Sequence, residues 1–237
     1  MTVTTTQRTR GPDGPPAGVL ATVSLALTVA GLAVSAALGG GTLPVSPLES
    51  TGTVAGYYLA HPGAATAAGL FAFGAGVPLG IFAATVYARL LRLGVRVPGP
   101  GIAYYGGISA SVLVGVAGLL SWVIGQPITG QSPAVIHTLA YATYALGGVG
   151  YVGGVGLLIA GVAVPSLILG FTPRWFAWLG LLIAALSELG ILSLVVPAFD
   201  FTLPVGRFIG LLWLIAVGFL LPRNRHDIAT RTDQQGQ

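Results

Sequence analysis

Long apolar runs alternate with short polar or Gly/Pro-rich breaks along most of the chain. The runs cover residues 18–38, 62–93, 102–125, 134–169, 174–197 and 205–221. Each reaches the ~17–25 residues a helix needs to cross the hydrocarbon core of a bilayer. The pattern therefore predicts an all-α polytopic membrane protein with six transmembrane helices. Pro98-Gly99-Pro100-Gly101 and Thr172-Pro173-Arg174 read as tight turns between crossings. Pro78 predicts a kink in the second crossing, and Pro165 an end or bend in the fourth. Residues 39–60, with Pro44, Pro47 and Glu49, read as a loop, with Tyr57 and Tyr58 in the interfacial aromatic belt. Residues 1–17 and 223–237 read as polar tails, the first of them flexible. The first apolar run is longer than the 7–15 residues of a signal-peptide core, so it reads as an uncleaved helix.

Charge sets the orientation. Of 237 residues only 7% are charged, and none of Asp, Glu, Lys or Arg occurs between Arg96 and Arg174. Nine arginines (8, 10, 89, 92, 96, 174, 223, 225 and 231) fall on one side of the six-crossing arrangement. Arg207 alone falls on the other. The positive-inside rule then puts both termini in the cytoplasm. The net charge of +4 follows from these flanking residues; no basic face is formed, and no nucleic-acid partner is expected. The chain has no cysteine, which excludes disulfides and thiolate-held metals.

Several stretches are familiar together: HPGAA at 61–65, PLGIFAATVYARLLRLGVR at 78–96, GPGIAYYGG at 99–107, PRWFAWLGLLIAALSELG at 173–190 and RFIGLLWLIAVGFLLPRNR at 207–225. They resemble a family of small actinobacterial integral membrane proteins allied to the domain-of-unknown-function 4386 group. The resemblance implies six helices in a bacterial plasma membrane and carries over no catalytic motif.

Glu188 is the carboxylate that the pattern forces into hydrocarbon. It lies nine residues before Pro197, about 13 Å along a helix, and so near the midplane. A carboxyl there costs about 2.5–3.5 kcal/mol. Its helix carries twelve Leu, Ile, Val or Phe residues, together worth roughly 4–7 kcal/mol on the insertion scale. The helix thus inserts without a counter-charge for Glu188. Arg207 is expected about one turn from the opposite surface, snorkelling outward. His137, Tyr141, Tyr144, Gly148 and Tyr151 recur at spacings of four, three, four and three, which places them on one helix face. That face would line an outward-facing cavity beside Glu188, or form a packing seam together with the Gly150/Gly154 step.

His61, His137, Glu188 and Asp200 are the groups able to ligate a divalent ion in the outer half. Their separations are long, and neither a metal nor any other cofactor is expected. No nucleophile elbow or phosphate-binding glycine loop is present, so a non-enzymatic protein is expected. The leading expectation is a small transport or sensing module built around the intramembrane carboxyl of Glu188. The alternative is a structural or interaction protein that meets another membrane protein, or a second copy of itself, through Gly-rich helix faces. In either case the bilayer is the first partner.

Overall fold

In the computed structural model of the chain, residues 15–127 and 132–222 are described; the two tails read from the sequence lie almost wholly outside them. Among the described residues six helices are long and apolar enough to cross a membrane: α1 (Ala17–Leu38), α3 (Pro62–Arg92), α4 (Gly99–Ile124), α5 (Pro133–Leu169), α6 (Arg174–Leu194) and α7 (Pro197–Leu220). This is the architecture of a multi-pass membrane protein. A seventh, shorter helix, α2 (Thr51–Ala60), occupies the stretch read as a loop. Ser50 caps it, its hydroxyl accepting a bond from the Thr53 N–H.

Arg89, Arg92, Arg96 and Arg174 collect at one end of the bundle, called here the arginine end; Glu49 and Asp200 lie toward the far end. α1, α3, α4 and α5 pack in succession, α7 closes back onto α1, and α6 lies against α5 and α7. Glycines set how closely the helix axes approach. A Cβ on Gly69 would stand 2.5 Å from the Gly118 carbonyl oxygen, and one on Gly161 would stand 2.4 Å from the Ala103 nitrogen. Neither position can carry a side chain without parting α3 from α4, or α4 from α5.

Several buried polar side chains bond to the backbone of a neighbouring helix. Pro78 removes an N–H from the middle of α3. Nearby, the Ser24 hydroxyl of α1 donates to the Ala75 carbonyl at 2.9 Å, and that of Ser111 in α4 donates to Gly76 at 2.8 Å. The weakened stretch of α3 is thus stitched to both neighbours. Arg89 is buried at the arginine end, where it donates to the Gly218 carbonyl of α7 at 3.0 Å.

Two helices contain a π turn. In α5, residues Ala145–Gly150 form a π-helical turn, and in α7 so do Val205–Ile209. α5 runs on through Pro165 and stops at Gly170, whose φ of +68° ends the helix. α7 coils from Pro197, earlier than the 205 read from the sequence. Residues 197–204 lack the long apolar run that marks a span, but their 3₁₀ and α turns are continuous with it.

Candidate functional site: a cavity with an arginine at its base

Arg207 lies within the second π turn. Arg207 stands ten residues into α7 (197 to 207), about 15 Å from its start, and not one turn from a surface. Its guanidinium Nη2 donates to the Gly147 carbonyl oxygen on α5. Its Cζ lies 5.1 Å from the centroid of the Tyr151 ring, within cation–π range. Tyr151 is the middle residue of α5, so the arginine head reaches the centre of the bundle. The expected outward snorkelling is corrected on this point.

The first π turn explains why Gly147 is free to accept. In a regular helix the Tyr151 N–H would bond to Gly147, four residues back. Here it bonds to Leu146 and Gly148. The bypassed Gly147 carbonyl takes the guanidinium in its place. Gly147 also has to be glycine for packing, since a Cβ there would stand 2.7 Å from the Ala117 methyl of α4.

Arg207, Tyr151, Gly148, Gly147, Tyr144 and Thr143 border a cavity of about 380 Å³. Its walls come from α1 (Gly31, Leu32), α3 (Ala68, Phe71) and α4 (Val114, Ala117), and residues Pro44, Val45 and Tyr58 border it toward the far end. Most of this lining is apolar. Among the described residues Arg207 forms no ion pair. The Thr143 hydroxyl is buried with no hydrogen-bond partner there. Tyr58 is buried on α2, which caps the cavity at that end, and desolvation pushes its phenol up to about 12.

The tyrosine stripe is divided between Tyr141 and Tyr144. Tyr144 and Tyr151 face the cavity, as does Gly148. Tyr144 also donates from its hydroxyl to Asp200 Oδ1 at 2.5 Å, tying α5 to the start of α7. His137 and Tyr141 lie beyond it, their rings 4.9 Å apart, with Tyr141 exposed. Both ring nitrogens of His137 are engaged: Nδ1 with the Thr51 hydroxyl and Nε2 with the Pro47 carbonyl, each at 2.8 Å. His137 therefore fastens the α2 cap to α5. Among the described residues no three His, Asp or Glu side chains approach one another closely enough to hold a metal.

Glu188 is not in this cavity. It lines a separate groove of about 350 Å³ between α4, α5 and α6, with Tyr105, Ser109, Gly150, Gly153 and Gly154. Its Oε1 is buried without a hydrogen-bond partner among the described residues. That oxygen sits in the notch of Gly156, 2.7 Å from where a Cβ would stand. The expected pairing of Glu188 with the tyrosine-lined cavity is thus corrected: carboxylate and cavity occupy different faces of α5.

Thr143 and the two π turns had no counterpart in the sequence reading. The Gly147-Gly148 and Gly206-Arg207 pairs are the visible trace of the π turns, but glycines are too frequent here, at 37, to single them out. Compared with known proteins, the chain matches no family model, no curated protein and no solved structure.

Proposed function

We propose that this is a small transport or sensing module of a bacterial cytoplasmic membrane, with both termini in the cytoplasm, and that its binding site is the Arg207 cavity. The nine-to-one division of arginines supports the orientation. The resemblance to actinobacterial six-helix proteins supports the location. One observation carries the functional reading. A guanidinium with no acidic partner among the described residues borders an apolar cavity at mid-bundle depth. Intramembrane ionisable groups are costly, and they typically serve ligand or ion pathways. A charge needed only for packing would be paired, or replaced by an apolar residue.

Because the chain has no cysteine, single-cysteine variants give an unambiguous test. Ala68→Cys and Thr143→Cys should react in intact cells with a membrane-impermeant thiol reagent. Ala110→Cys, buried in the core, should not. Absence of labelling at both cavity positions would remove the binding site from this reading.

A second reading keeps the interaction role. The unpartnered Glu188 oxygen and the glycines of its groove offer a face that a transmembrane helix with a hydroxyl or amide could fill. Crosslinking in membranes from Ser109→Cys decides it. A single stoichiometric product lost on Gly150→Leu supports an interaction protein.

A further inference from the structure

We infer that the Arg207 cavity takes a monoanionic amphiphile: a carboxylate on an unbranched apolar chain, about a dozen heavy atoms in all. This rests on the cavity being the binding site.

The charge fixes the head group. A guanidinium has five N–H donors in a planar fork. Gly147 takes one of them, which leaves a pair for bidentate binding of a carboxylate. Thr143 stands one helical turn beyond Gly147 on the same face of α5. Its buried hydroxyl, without a partner among the described residues, supplies a further donor at the same cavity. No second basic residue lines the cavity. A phosphate dianion would thus keep an uncompensated charge away from water, whereas a carboxylate is neutralised.

The walls fix the rest of the molecule. Leu32, Phe71, Val114 and Ala117 offer no hydrogen bonds. A small hydrated anion would lose its water shell to hydrocarbon there, and a polyol or amino acid would leave polar groups unmatched. The volume of about 380 Å³ corresponds to about a dozen groups of water size. The head binds at mid-bundle depth with the tail directed to the far end, beneath Pro44, Val45 and Tyr58.

Decanoate has this size and charge. The full chain in nanodiscs of zwitterionic lipid should bind radiolabelled decanoate saturably, one per chain, at pH 8. Unlabelled decanol should compete at least tenfold more weakly, and decylammonium not at all. Arg207→Gln should weaken binding at least tenfold, Arg207→Lys less than that, and Thr143→Val several-fold. Ala68→Phe, which fills the cavity from the α3 side, should abolish binding and leaves the arginine in place if Arg207→Gln does not fold. Decanol competing as well as decanoate, or chloride or phosphatidylglycerol displacing decanoate at equal concentration, would overturn the inference. No decanoate binding by a chain whose Ala68→Cys variant labels normally would overturn the ligand class alone. Absence of both binding and labelling would overturn the site as well.

Discussion

The guanidinium of Arg207 is bonded to the Gly147 carbonyl, sixty residues earlier in the chain, and this bond joins two irregular turns. Each turn is needed for the other's contribution. α5 frees an acceptor, and α7 carries a donor deep enough to reach it. Gly147→Ala would put a methyl group 2.7 Å from the Ala117 side chain and part α5 from α4. The expected cost is about 1–3 kcal/mol, the usual range for overpacking. It should appear as a lower thermal midpoint of the purified protein, and an unchanged midpoint would mean that the helices have room to spare.

Glu188 leads to the opposite expectation. A buried oxygen without a partner is a net loss, and replacing it by an apolar group of similar shape is close to neutral or stabilising. Glu188→Leu should therefore leave the thermal midpoint of the isolated chain unchanged or raise it. A loss of more than about 1 kcal/mol would show that the carboxyl has a structural bond.

The cap over the cavity depends on His137. His137→Ala removes two hydrogen bonds to residues 47 and 51, each worth about 0.5–1.5 kcal/mol. Amide exchange within 44–60 should accelerate, while exchange in α3 and α4 stays as it was. Uniform acceleration across the bundle would refute a local fastening role.

Alkali should loosen the same cap. The Tyr58 phenol is raised from 10.0 to about 12 by burial. Below pH 10 both folded and unfolded chains hold the proton, and the site's contribution is complete. Between 10 and 12 the unfolded chain loses its proton first, so stability falls as pH rises, by about 2–3 kcal/mol in all. Protease sensitivity of the 44–60 segment should rise over that interval in the natural protein and stay level in Tyr58→Phe.

Hydrophobic run length made the six spans legible from the sequence, because a crossing helix needs little beyond enough apolar residues. The short α2 was not legible: TGTVAGYYLA is too brief and too mixed to distinguish from a loop, and its cap and docking come from Ser50 and His137. Glu188 stood out in the sequence as a lone acid, and its place beside a glycine groove follows from α6 packing on α5. Arg207 was assigned to a surface because its span was counted from residue 205, whereas the chain already coils from 197. The periodicity grouped His137 and Tyr141 with Tyr144 and Tyr151, but residues 47 and 51 engage His137 at the cap, and the π turn at 145–150 that frees the Gly147 carbonyl was invisible to it. Local hydrogen-bond shifts of this kind leave almost no mark on composition.

A π turn encloses one more residue than an α turn between the same hydrogen-bonded levels. Removing one residue from 145–150 would let α5 heal into an ordinary helix with both flanks in their present phase. The Gly147 carbonyl would be claimed by its own helix, and the arginine would lose its acceptor with little disturbance to the bundle around it. Chain length at this point therefore encodes the cavity as firmly as side-chain identity does. A one-residue deletion, ruinous in most buried helices, would here be the gentlest way to erase the proposed function.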